Sequence, residues 1–199
     1  MTRTIDYYFA TVSPYAYLGH DRLEAIAQKH GATVAVKPIN LGDVFPVSGG
    51  LPLSKRAPQR QAYRLVELQR WAQYLSKPMH IQPGFFPVNG DLAAYWIIAA
   101  LELGPTQALA LAGAVGRATW EQERNIADAA TMQAIAEECG FPAAALAARS
   151  QAPDIAEKYA ENTREAIARG VFGAPTYVAG DELFWGQDRL DFLDRKMAK

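Results

Sequence analysis

The sequence predicts an α/β protein whose small sheet is assembled from both ends of the chain, with a long all-helical insertion between them. Three observations carry this. A strand, a helix and a second strand fit into the first forty residues. A hairpin followed by a short amphipathic helix closes the chain. Between them, residues 59–170 read almost entirely as helix.

Residues 4–10, "TIDYYFA", are rich in β-branched and aromatic types, as strands are. Residues 14–30 carry apolar side chains at helical spacing, and Gly31 ends the run. His30 falls in the last turn, where a partial positive charge suits the helix C-terminus. "ATVAVKPIN" is a second strand, stopped near Pro38. Strand, helix and strand at this spacing form a βαβ unit with parallel strands. Residues 42–58 hold three Gly and three Pro and are expected to be a loop or mobile segment.

Residues 59–76 read as a helix with Tyr63, Val66, Leu68 and Trp71 among its apolar positions. A Pro-rich connector, 76–90, follows. Further helices are expected at 91–103, 106–119, 127–138, 142–148 and 154–169. The last has Asp154 as N-cap, an i,i+4 pair of Glu165 with Arg169, and Gly170 as its stop. In 175–185, "PTYVAGDELFW", two apolar runs flank Gly180–Asp181, a hairpin turn signal. A short helix ends the chain. Neither end has enough strands alone, so the termini must meet in one sheet. The result is a thioredoxin-like core, βαβ … ββα, over residues 1–41 and 171–199, interrupted by a helical insertion over 42–170.

Composition excludes several functions. The chain has 199 residues, half of them apolar, and a formal net charge of −1. No basic stripe suggests nucleic acid as a partner. No segment has the length of a membrane span, and the N-terminus has no apolar core of signal-peptide length, which points to the cytoplasm. His20, His30 and His80 lie far apart and show no metal-ligand spacing. Cys139 is the single cysteine, so no intrachain disulfide forms, and it is expected to be a buried, inert thiol.

One stretch points to chemistry. In "VSPYAYLG", Ser13 stands where a strand hands over to a helix and Pro14 takes the first helical position. A helix N-terminus stabilises negative charge, so this hydroxyl marks a place to hold a thiolate or another anion as well as a cap.

"YYFATVSPYAYLG", "VFGAPTYV" and "LFWGQDRLDFL" together resemble the 2-hydroxychromene-2-carboxylate isomerases, relatives of the kappa-class glutathione transferases and of DsbA-like disulfide oxidases. The resemblance spans the chain. It implies glutathione as cofactor, an aromatic keto acid as substrate, a homodimer, and a place in aromatic hydrocarbon catabolism such as that of naphthalene. "SPYA" stands where DsbA-like proteins carry Cys-x-x-Cys, so Ser13 is the implied catalytic residue, bonding the thiolate of glutathione. Pro175 is the implied cis-proline, and the backbone of Ala174 pairs with the cysteinyl part of glutathione. Gln187 and Asp188 take its γ-glutamyl end. In "SGGLPLSKRAPQRQAY", Gly50 stands where the family has Asn, and Arg60 where it has Lys. Arg60 is assigned to the glycyl carboxylate of glutathione or to the substrate carboxylate, with Lys55 and Arg56 on the same loop. Tyr15, Phe45, Phe86 and Asn89 shape the substrate cleft. Trp185 is a further aromatic, expected in the core. A kappa-type transferase or peroxidase and a non-catalytic thioredoxin-like binding module are the alternatives.

Overall fold

The computed structural model describes residues 3–199. β1 (Thr4–Phe9) leads into α1 (Pro14–His30) and β2 (Thr33–Pro38), and β1 pairs with β2 in parallel. At the other end, β3 (Thr176–Ala179) and β4 (Glu182–Trp185) form the expected antiparallel hairpin, and Gly180 takes φ +66° in its two-residue turn. β3 lies antiparallel on β1, so the sheet order is β2-β1-β3-β4 and the two ends of the chain do meet.

Alternation along the strands gives the sheet two different faces. Ile5, Tyr7, Phe9, Val34, Val36, Tyr177 and Phe184 join Leu23 and Ile26 of α1 in the larger core. Leu190 and Leu193 of the last helix, α9 (Leu190–Met197), complete that layer. Tyr8, Val178 and Leu183 face the other way, toward α8 (Pro153–Ala168). The insertion supplies α3 (Pro58–Tyr74), α4 (Asp91–Ala100), α5 (Pro105–Trp120), α6 (Ala129–Glu138) and α7 (Ala143–Ser150) before α8. Trp96 and Ile97 of α4 and Leu111 and Val115 of α5 belong to the same core cluster as the strands, so apolar packing is continuous from sheet to insertion.

Several expectations are corrected. The Gly- and Pro-rich stretch 42–58 is largely helical: α2 runs Leu41–Ser48, and a 3₁₀ turn covers Leu53–Lys55. The Asn40 side chain accepts from Gly42 N at 2.8 Å, and the Asn40 N–H donates to Thr163 Oγ1 of α8 at 3.0 Å. Val44, fully buried against Ala166 and Val178, anchors the turn from inside. A cap and one buried anchor outweigh the helix-breaking composition. Asp154 is not the N-cap of α8: that place is Ala152, with Pro153 at N1 and Asp154 in the first turn. Tyr63 and Val66 are exposed, and Leu68 is the buried anchor of α3. His30 does more than face the helix dipole, since its Nε2 lies 2.6 Å from Asp194 Oδ1 and ties α1 to α9.

The second sheet face carries an ion network. Lys37 Nζ lies 2.9 Å from Asp6 Oδ1 and 2.7 Å from Glu165 Oε1, and Tyr8 donates to Glu165 at 2.8 Å. Arg169 pairs with Asp6 at 2.5 Å and, as expected from the spacing, with Glu165, at 3.8 Å. Burial pushes the Glu165 carboxyl up, but the bonds from Lys37 and Tyr8 outweigh it and hold the carboxyl below its ordinary value. Its stabilising share is therefore present above the unfolded pKa, about 4.3, and is lost as pH falls through the lower folded value. Lys37→Met removes one of the two cations and leaves Asp6 and Glu165 with Arg169 alone. The variant is expected to have a lower urea midpoint than the parent at pH 7, and the gap should narrow at pH 3, where the carboxylates protonate. An equal gap at both pH values would contradict this role.

Candidate active site

Ser13 is the N-cap of α1, with extended backbone (φ −75°, ψ 121°). Its Oγ accepts from Ala16 N at 3.2 Å, and its own O–H has no acceptor among the described residues. The residue is 8% exposed. The first turn of this 17-residue helix contains no acidic side chain, so no local carboxylate cancels the positive end of the helix dipole.

Strand register places the cis-proline segment beside this turn. Tyr8 pairs with Thr176, which sets Pro175 at the C-terminal end of β1, where the chain turns toward Ser13. The Ala174–Pro175 peptide is cis. Ala174 is half-buried, and its N–H and C=O make no backbone hydrogen bond among the described residues. Gly186 N donates to Pro175 O at 2.9 Å and so draws the following 3₁₀ turn, Gln187–Arg189, to the same edge. That turn sits tightly on α1: a Cβ on Gly19 would lie 2.7 Å from the Tyr177 hydroxyl and 2.8 Å from Gln187 Cβ.

Gln187 is buried, and Arg22 Nη1 donates to both its backbone and its side-chain oxygen at 3.1 Å. Gln187 therefore fixes the turn to α1 and holds its oxygens inward. Asp188 is exposed and pairs with Arg189 at 2.8 Å. A cleft of about 730 Å³ opens between this turn, α1 and α3, lined in part by Arg22, Glu67, Trp71, Asp188 and Asp191.

Tyr15 and Phe86 come together: both border a small core of Tyr17, Leu18, Leu68 and Trp120, and the Phe86 ring lies 4.8 Å from Trp120. Burial pushes the Tyr15 hydroxyl above its ordinary value, Arg64 opposes this, and Glu67, Arg56 and Asp188 act more weakly. Tyr15 is thus a neutral phenol packed beside Leu68 and Trp71 of α3. Asn89 is exposed, and its Oδ1 accepts from Asp91 N at 2.7 Å at the start of α4. Its neighbour Gly90 accepts from Thr11 Oγ1 at 2.9 Å, which ties this connector to the turn that bears Ser13.

Phe45 stands apart from the Tyr15–Phe86 cluster. It lies on α2 against Gly50, where any Cβ would run into the Phe45 ring. The ring occupies the space that a side chain at position 50 would need, which is the physical reason for Gly there. Arg60 is exposed on the first turn of α3, without a salt bridge among the described residues, and Arg56 Nε donates to Leu51 O at 2.8 Å. Trp185 is not core. It is 51% exposed on the edge strand, while its neighbour Phe184 points inward, and it packs on Phe172 at 4.7 Å. Cys139 is half-buried at the end of α6, and burial pushes its thiol up, away from reactivity.

Arg64 was not singled out in the sequence. It lies one turn beyond Arg60 on α3, half-buried, with its guanidinium 5.2 Å from the centre of the Phe86 ring. Only the i,i+4 spacing from Arg60 hinted at it, since the burial of a cation depends on what packs over it. Among the described residues, no group of His, Cys, Asp and Glu could hold a metal ion, and no helix is long and apolar enough to cross a membrane.

Comparison with known proteins agrees with this fold. The DSBA-like thioredoxin domain family matches residues 4–198. The chain is 33% identical to a 2-hydroxychromene-2-carboxylate isomerase of Pseudomonas putida, over 98% of this chain and 94% of that one. It is 24% identical to glutathione S-transferase kappa 1 of Homo sapiens, over 97% and 90% of the two chains. A solved structure of a 2-hydroxychromene-2-carboxylate isomerase, 31% identical, superimposes with a TM-score of 0.81 over 98% of this chain and 94% of that one. Sequence and fold thus converge, and the chain belongs to the DSBA-like thioredoxin domain family and, within it, to the family of the 2-hydroxychromene-2-carboxylate isomerases.

Proposed function

We propose that the protein is a glutathione-dependent isomerase that interconverts 2-hydroxychromene-2-carboxylate and trans-o-hydroxybenzylidenepyruvate. The observation that carries this is the Ser13 hydroxyl: a nearly buried donor at the uncancelled positive end of α1, in a turn that holds no cysteine. Such a site has no sulfur of its own, but it supports negative charge on one brought to it.

Glutathione lies along the cis-proline edge. Its cysteinyl backbone pairs with Ala174 as a short added strand, its ammonium meets Asp188, and its glycyl carboxylate reaches toward Arg60. The sulfur comes to Ser13, whose O–H donates to the thiolate. The kinship with a kappa glutathione transferase supports this ligand.

The chemistry follows from a bond that does not rotate. In the ring-opened substrate, the thiolate adds to the benzylic carbon of the conjugated double bond. A C–S bond forms as the π pair moves onto the ketone oxygen. The former double bond is then single and turns. Return of the electron pair expels the thiolate and restores the alkene in its other geometry. Nothing is oxidised or reduced, and glutathione is regenerated. Tyr15 and Phe86 flank the aromatic ring of the substrate.

The test is an absorbance assay of purified protein with 2-hydroxychromene-2-carboxylate, with and without glutathione. Equilibration with the benzylidenepyruvate is expected to require glutathione in catalytic amount. Full rate without glutathione would defeat the mechanism, and stoichiometric consumption of glutathione would identify a transferase instead.

A further inference from the structure

Arg64 is the half-buried cation in this region to which the fold gives neither an acid nor a hydrogen-bond acceptor among the described residues. Among the described residues it makes no salt bridge and no hydrogen bond, although it is half-buried. The acid one turn away on α3, Glu67, is committed to Arg70 at 2.8 Å, and Asp188, on the far side of Tyr15, to Arg189 at 2.8 Å. Other partly buried arginines are engaged: Arg22 with Asp191, Arg149 with Glu102 and Asp154, Arg124 with Glu138, and Arg56, which has no acid, through its Nε bond to Leu51 O. Arg60, being exposed, keeps its hydration and needs no partner. A guanidinium has five donors and no acceptor, and withdrawing it from water without an anion costs free energy. Arg64 meets only the Phe86 ring and the neighbourhood of the neutral Tyr15 phenol, with Arg56 as a second cation nearby.

We propose that Arg64 receives the carboxylate of the organic substrate and holds the attached aryl or alkenyl system against Phe86. This rests on the isomerase reading above and deepens it. Phe86 and Tyr15 border the same small core, and Tyr15 lies two residues beyond Ser13 in the first turn of α1, so Arg64, stacked on Phe86, stands near the turn that bears Ser13. The substrate carboxylate is three bonds from the carbon that the thiolate attacks, so its receptor must lie beside the sulfur site and not upon it. On the reading above, glutathione takes Asp188 with its ammonium and Arg60 with its glycyl carboxylate, which leaves Arg64 to the organic substrate. A planar fork backed by an aromatic ring suits a flat conjugated carboxylate, which ordinary surface lysines grip less specifically.

Two neighbouring ligands separate charge from shape: trans-cinnamate and the neutral, isosteric trans-cinnamamide, measured as competitive inhibitors and by calorimetry in the presence of glutathione. The parent protein is expected to prefer cinnamate by about 10- to 150-fold, the range of a charge-assisted bond. Arg64→Gln should erase that preference and raise the KM for the chromene carboxylate by a similar factor, while the Kd for glutathione stays within twofold. Arg64→Lys should keep part of the preference, so a folding defect in the Gln variant does not leave the question open. An unchanged preference in both variants, or a loss of glutathione affinity matching the loss of cinnamate affinity, overturns the proposal. If the parent protein fails to isomerise the chromene carboxylate, the functional reading falls, while the cinnamate and cinnamamide comparison still reports on Arg64.

Discussion

Ser13→Ala is expected to lower kcat/KM for glutathione-dependent isomerisation by about 10- to 150-fold, the equivalent of one hydrogen bond to a charged group at about 1.5–3 kcal/mol. The same loss should raise the apparent pKa of the bound thiol by about 1–2 pH units, read from thiolate absorbance near the far-ultraviolet edge. Ser13 also caps α1 through Ala16 N, so the variant should lose about 1 kcal/mol of stability for a reason unrelated to catalysis. Ser13→Asp separates the two roles. Aspartate is a strong N-cap, so the stability should return to the parent value or exceed it. Its carboxylate, however, sits where the thiolate must form, and the activity should fall to the alanine level or below. An active Asp variant would mean that the hydroxyl serves only as a cap and that the sulfur lies elsewhere.

Trp120→Ala should be the most damaging core substitution near the site, costing about 3–5 kcal/mol. Trp120 ends α5 with no exposed surface and packs with Tyr17, Leu18, Leu68 and Phe86. It joins α1, α3 and the Pro-rich connector, whose His80 N–H donates to the Trp120 carbonyl at 2.7 Å. In a chain of this size the loss should lower Tm by about 6–20 °C. The indole Nε1 has no partner among the described residues, so Trp120→Phe sacrifices volume but no hydrogen bond and should lose less than half as much. The alanine variant should also raise the KM for the aromatic substrate, because Phe86 loses the surface it leans on. Urea unfolding and steady-state kinetics check both; a loss below about 1 kcal/mol would show that the cavity collapses at little cost.

Much of the fold was legible because its determinants are local. The alternation in "TIDYYF" and "TYVA" assigns each side chain to a sheet face, and Gly31 and Gly180 stand where the backbone turns left-handed. Ser13–Pro14 reads as a helix start from two adjacent residues. The errors fall where distant partners decide. Segment 42–58 became helical because Val44 found Ala166 and Asn40 found Thr163, more than a hundred residues away. Trp185 went outward because β4 is an edge strand and Phe184 claimed the core.

By itself the sequence determined the order of elements, the need for the two termini to share a sheet, and a helix start tipped with an alcohol. Capping, periodicity and turn chemistry act over a few residues, so they are written in neighbouring letters. Only the tertiary structure decided that Gln187 is held inward by Arg22, that Phe86 leans on Trp120, and that Arg64 is left without an acid. Burial and charge pairing are sums over whatever the fold brings within a few ångströms, and that neighbourhood exists only once the chain has closed.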